Sequence, residues 1–242
     1  MIINTAGEYT LQYTATDACG NTTTVERELT VEEPPTYRTV LYTDGTFIIN
    51  ESSRDEADNI ALHGAATNVY DPFDPNGDTT VKKYIFTSET QRPWNSQASS
   101  VRSVEIGSNI QPTSTASWFY GMTDCTSIDL AKLDTSAVTN MKDMFNNCQA
   151  LTSLDVSSFN TGAVTDMGNM FSYCQALNTI YASVNFVVTQ VTNSNSMFGN
   201  MSTNLVGGAG TTWASSSSVP KDKTYARIDN PPSDPGFFTA RP

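Results

Sequence analysis

Charge is sparse in this sequence, and positive charge sparser still. Only 16% of the 242 residues are charged, and 13 Lys and Arg stand against 25 Asp and Glu, a formal charge of -12. A surface of that sign repels phosphate backbones and anionic lipid, which argues against nucleic acid and membrane surfaces as partners. Long apolar runs are missing too. No stretch approaches the ~18 apolar residues that would cross a bilayer, and residues 1–13 lack the charged start and apolar core of a signal peptide. Membrane insertion is not expected, and any export or anchoring signal would lie outside this chain. Histidine occurs once, at His63, and none of Cys19, Cys125, Cys148 and Cys174 belongs to a Cys-x-x-Cys pair. A zinc site is therefore not expected.

Catalytic signatures are equally scarce. Hydrolysis or group transfer needs a nucleophile beside a base, paired carboxylates in a pocket, or a glycine loop that cradles phosphate. His63 lies in Ala61-Leu62-His63-Gly64 with no cysteine or G-x-S-x-G elbow nearby, and reads as a lone surface or cap histidine. Gly207-Gly208-Ala209-Gly210 stands between no strand and helix, and reads as a flexible exit loop. The chain is expected to be no enzyme and to carry no cofactor. What it has instead is Ser, Thr, Asn and Gly, a neutral polar composition that suits secreted or surface-displayed proteins.

The first segment alternates apolar residues in two runs, Tyr9, Leu11, Tyr13, Ala15 and then Val25, Leu29, Val31, separated by Cys19-Gly20-Asn21. Period-two alternation around a Gly-Asn turn predicts a β-hairpin over residues 1–31. The run Gly7-Glu8-Tyr9-Thr10-Leu11-Gln12-Tyr13-Thr14-Ala15-Thr16-Asp17 with Gly20-Asn21 resembles the final strands of the immunoglobulin-like modules of bacterial surface proteins. Glu32-Glu33-Pro34-Pro35 makes residues 32–36 a stiff, solvated linker. Tyr37 to Tyr42 and Phe47 to Ile49 flank an Asp44-Gly45 turn, a second hairpin. Residues 51–80 read as polar and irregular, Lys83-Tyr84-Ile85-Phe86 and Val101 to Ile106 as short strands, and residues 37–115 together as a β-rich cap.

Residues 116–206 recur with a period of 26. Leu154, Val156, Val164, Met167, Met170, Phe171 and Cys174 follow Ile128, Leu130, Val138, Met141, Met144, Phe145 and Cys148; Val191, Met197, Phe198 and Met201 come 27 later, and Trp118-Phe119-Tyr120 occupies the earlier slot. An alternating segment followed by apolar residues at helical spacing predicts one short strand and one helical turn per unit, stacked into a parallel sheet. Val138, Val164 and Val191 would line one interior ladder, and Phe145, Phe171 and Phe198 another. The motif Leu151-Thr152-Ser153-Leu154-Asp155-Val156-Ser157-Ser158-Phe159-Asn160-Thr161, with Val164-Thr165-Asp166-Met167, Met170-Phe171 and Cys174, resembles the 26-residue repeat of the BspA-like leucine-rich surface proteins of bacteria. The tail around Thr224-Tyr225-Ala226 and Pro235-Gly236-Phe237-Phe238-Thr239 is similar to the closing segment of that domain, a C-terminal cap over residues 207–242. The resemblance implies an exported or surface-anchored protein that binds host proteins, matrix or neighbouring cells, and no reaction. The expected fold class is α/β: a short leucine-rich-repeat-like solenoid of parallel strands and short helical turns, a β-rich N-terminal cap, and a small Ig-like hairpin.

The period also locates a candidate ligand face. With Leu154 and Val156 inward, Ser153, Asp155 and Ser157 point out, beside Ser127 and Asp129 on one side and Thr179, Tyr181 and Ser183 on the other. Stacked Asp129 and Asp155 could invite calcium, but Tyr181 holds the third slot, and a solvated acidic face is the simpler expectation. The methionines pack by their spacing, and no metal follows from them. Cys148 and Cys174 would lie about 4.8 Å apart, close enough to bridge, though an in-register ladder rarely supplies the dihedral, and buried thiols are expected. Two roles fit these features: an extracellular or cell-surface adhesion module for a protein or glycan on another cell, or a virion component, such as a phage head or tail decoration, docked through residues 1–35.

Overall fold

The computed structural model describes residues 7–31, 37–52, 56–73, 94–202, 204–214, 220–230 and 233–241. The linker at 32–36 and the strand expected at Lys83 to Phe86 lie outside them. The chain divides into two units, Met1–Pro35 and Thr36–Pro242.

In the first unit β1 (Gly7–Thr16) and β2 (Thr22–Val31) pair antiparallel, with Tyr9 opposite Leu29 and Tyr13 opposite Val25. The turn is organised by Asp17, whose Oδ1 accepts the amides of Cys19 and Asn21, each at 2.9 Å, while Gly20 takes φ 88°. Because side chains alternate, Tyr13, Val25 and Leu29 share one face, and all three remain exposed.

Among the described residues, the second unit holds two sheets. The hairpin of β3 (Tyr37–Tyr42) and β4 (Thr46–Ser52) closes at Gly45, with φ 89° and its amide on the Tyr42 carbonyl at 3.1 Å. β5 (Ala66–Phe73) adds antiparallel to β3; β6 (Ser103–Ile106) and then β7 (Ser127–Ile128) add parallel beyond β4, giving the order β5-β3-β4-β6-β7. The polar stretch expected to be irregular thus supplies a helix, α1 (Glu56–His63), as well as β5. Gly64, at φ 82°, ends that helix in the left-handed cap such a terminus favours. Pro72 fits within β5 because an edge strand has amides with no ladder partner.

The second sheet is parallel, in the order β10-β9-β8, with β8 (Ser153–Asp155), β9 (Thr179–Ala182) and β10 (Phe238–Ala240). Leu154, Ile180 and Phe238 align on its inner face and are buried. One apolar core runs from Leu41 and Phe47 through Phe119, Phe145, Phe171 and Phe198 to Phe238.

The expected α/β solenoid does not form. The described residues are mostly strands and turns; α1 is their one α-helix, joined by 3-10 turns at Asn95–Ser100 and Lys223–Tyr225, all outside the segments expected to be helical. Nor do the strands make one continuous sheet, since β7 belongs to the first and β8 to the second. The physical reason lies in where the amides go. Those of Met144, Asn146 and Cys148 close tight turns on Met141, Asp143 and Phe145, but those of Met141, Asp143, Phe145 and Asn147 bond outward to Asp166, Gly168, Met170 and Ser172. Alternating local and outward bonding returns apolar side chains to one side every three or four residues, which mimics helical spacing without a helix. Asp143 and Asn147, at φ 56° and 65°, hold the left-handed backbone that no α-helix tolerates. That conformation costs a residue other than glycine roughly 1–2 kcal/mol, least for Asn and Asp.

The cysteines are free: Cys19 is exposed and Cys125, Cys148 and Cys174 are buried. Each buried thiol donates to a backbone carbonyl, Cys148 to Phe119 at 3.2 Å and Cys174 to Phe145 at 3.0 Å. The loop expected to be a flexible exit is instead pinned. Asp229, only 7% exposed, accepts the amides of Ala209 at 3.0 Å and Thr211 at 2.8 Å, and that of Gly236 at 3.1 Å.

Candidate functional site

The parallel register of β8 and β9 sets Asp155 beside Tyr181 and Ser153 beside Thr179, so these four of the expected residues form one outward patch. Ser153 is exposed and the other three are half-buried. Ser127 stands on the other sheet, Asp129 lies just past the end of β7, and neither shares a strand ladder with them. Asp129 nevertheless meets Asp155 and Ser157 across a cleft of about 160 Å³ between β7 and β8, floored by Ile128 and Leu130. Each carboxylate is partly satisfied by its own turn: Asp129 accepts the Ala131 amide at 2.9 Å and Asp155 the Ser157 amide at 3.0 Å. Ser183 lies past the end of β9, its hydroxyl accepting the Asn185 amide at 3.3 Å.

Two residues of this face escaped the sequence reading, because nothing there shows that the tail enters the sheet. β10 places Thr239 directly beside Tyr181. Just beyond it, Arg241 sets its guanidinium over the Tyr181 ring, 5.3 Å from the centroid, and its Nε 3.2 Å from Asp155 Oδ2. The expected acidic stripe is therefore partly neutralised and carries an aromatic ring stacked under a cation. The alternation of Phe238 and Ala240 around Thr239 is the only signal that could have marked the tail as a strand.

A second open cleft, about 330 Å³, lies at the β3–β4 turn and is lined by Tyr42, Asp44, Gln97, Ser100 and Arg102 among others. Beside the turn, His63 Nδ1 sits 2.9 Å from Asp44 Oδ2 and 3.2 Å from Thr46 Oγ1, while its Nε2 is buried with no hydrogen-bond partner. Burial works to raise the Asp44 pKa, but hydrogen bonds from Thr46 and His63 outweigh it and hold the carboxyl below its ordinary range. His63 closes α1, so its contacts with Asp44 and Thr46 fasten that helix to the turn. Among the described residues, no three His, Cys, Asp or Glu side chains converge as a metal site would require.

The N-terminal hairpin and the β-rich unit after it match two different families of known proteins. Residues 2–31 match the Ig-like domain of bacterial surface proteins, which makes a cell-surface location the natural one. Residues 113–223 match the family described as a Mycoplasma protein of unknown function, DUF285. Both matches are consistent with a bacterial surface protein. No curated protein and no solved structure matches the chain.

Proposed function

We propose that this chain is a non-catalytic recognition module of a bacterial surface protein, binding a protein or glycan of a host or neighbouring cell. The match of residues 2–31 to a surface-protein Ig-like domain is the observation that carries this reading. The patch of Ser153, Asp155, Thr179 and Tyr181, completed by Thr239 and Arg241, supports it: both charges, hydroxyls and an aromatic ring on a rigid sheet suit an extended polar ligand. Fluorescently labelled full-length chain applied to epithelial monolayers should bind saturably, with Tyr181→Ala weakening the binding and leaving thermal unfolding unchanged. Non-saturable background on cells, before and after protease or periodate treatment, would sink the proposal.

A virion or appendage component docked through residues 1–35 is a second reading. One observation favours it, the exposure of Tyr13 at 55%, Val25 at 60% and Leu29 at 39% on a single hairpin face. A two-stranded hairpin with an uncovered apolar face is marginal in water and gains from a partner that covers it.

A further inference from the structure

Left-handed backbone recurs at four corresponding turn positions: Gly121 at φ 72°, Asn147 at 65°, Tyr173 at 60° and Asn200 at 51°. Backbone bonds set them side by side, since the Asn147 amide donates to the Ser172 carbonyl at 2.8 Å and the Tyr173 amide to the Gly199 carbonyl at 2.9 Å. Glycine and asparagine suit that conformation, whereas a tyrosine strains it. Burial does not compensate, because Tyr173 is 45% exposed. Among the described residues its hydroxyl has no hydrogen-bond partner and its ring meets no other ring.

The surroundings are uniform in chemistry. Gln149 and Gln175 stand two positions after Asn147 and Tyr173, and both are exposed, as is Asn200. The side-chain carboxamides of Gln175 and Asn200 make no hydrogen bond among the described residues, while Gln149 Nε2 donates to Asn147 Oδ1 at 2.7 Å and leaves its own side-chain carbonyl oxygen open. In a chain of formal charge -12, this face of Gly121, Asn147, Gln149, Tyr173, Gln175 and Asn200 carries no charge. It offers one aromatic platform among amides that both donate and accept.

We infer that this turn face, distinct from the β8–β9 patch, binds an uncharged carbohydrate: one pyranose lies on the Tyr173 ring and its hydroxyls exchange hydrogen bonds with Gln149, Gln175 and Asn200. The face fits this ligand class because a sugar is apolar on its C–H face, rich in donors and acceptors at its rim, and without charge. An acidic or basic ligand would find no counter-charge here. The inference rests on the recognition role proposed above and names a ligand class and a site for it.

The experiment is affinity electrophoresis of the full chain in gels containing dextran, galactomannan or hydroxyethyl cellulose, with alginate and heparin as anionic controls. At least one neutral polymer should retard the wild-type chain. Tyr173→Asn should weaken that retardation at least tenfold while its thermal midpoint stays level or rises, since asparagine suits the left-handed backbone; Tyr181→Ala should migrate as wild type. Retardation only in anionic gels, none in any gel, or equal retardation of Tyr173→Asn overturns the inference. Should saturable cell binding persist in any of those cases, the site and ligand class fail alone; its loss as well takes the recognition role with them.

Discussion

The rings of Phe145 and Phe171 lie parallel, with planes 1° apart and centroids 5.7 Å apart. Phe119 and Phe198 continue the row on either side, each with centroids 5.4 Å from its neighbour. Phe171 therefore has a ring on both faces, and the edge of Phe238 also meets it at 6.2 Å. Truncating it opens a cavity in the middle of the core, and Phe171→Ala should cost about 3–5 kcal/mol of unfolding free energy in urea titration. Phe171→Leu should cost less. A loss under about 1 kcal/mol for the alanine variant would mean the neighbouring rings collapse into the space.

That row was legible in the sequence because like residues recur at like spacing, and so was the N-terminal hairpin, whose two alternating runs pair as their pattern requires. The helical turns were misread for a reason built into the chain. Val138, Met141, Met144 and Phe145 carry helical spacing, but the amide of Met141 bonds to Asp166 and that of Phe145 to Met170. Spacing reports which side chains face inward and not which carbonyl an amide finds. The outward patch was half visible for a related reason. Asp155 and Tyr181 follow from local alternation, whereas Arg241 arrives through a pairing of β9 with a strand far along the chain. α1 was hidden because its apolar residues Ile60 and Leu62 remain exposed and form no stripe facing the core.

Arg241 tests how much the added strand contributes to the patch. Its pair with Asp155 is half in solvent, so the expected stabilisation is at most about 1 kcal/mol. Arg241→Ala should lower stability by no more than that in low salt, and the difference should shrink on adding sodium chloride. A larger loss, insensitive to salt, would show that the guanidinium acts by packing on Tyr181 rather than by charge.

The thiols should separate sharply under alkylation. Burial pushes the Cys125 thiol up to about 11 and the Cys174 thiol up to about 12, each only partly offset by a hydrogen bond. The reactive form is the thiolate, which is then nearly absent at pH 8. Iodoacetamide should label Cys19 alone in the folded chain and all four cysteines in guanidinium, as read by intact mass. Labelling of Cys148 or Cys174 under native conditions would show that the core opens locally.

Asp229 makes the pinned loop sensitive to acid. Burial works to raise its pKa, but hydrogen bonds from Thr211, Gly236 and Ala209 outweigh this and hold the carboxyl below its ordinary value of 3.8. A depressed folded value means that the charged form stabilises the fold at every pH above about 3.8, and that this contribution fades as pH falls through the lower folded value. Asn at this position replaces one acceptor oxygen by a donor that faces N–H groups. Asp229→Asn should therefore cost about 1–3 kcal/mol at pH 7, and thermal unfolding from pH 7 to pH 2 should show the two chains converging at the acid end. The site leaves little room to adjust: a Cβ on Gly207 would stand 2.2 Å from the Gly236 carbonyl oxygen, so Gly207→Ala should destabilise the same loop. A constant gap between wild type and Asp229→Asn down to pH 2 would assign the loss to packing and remove the carboxylate's charge from the account.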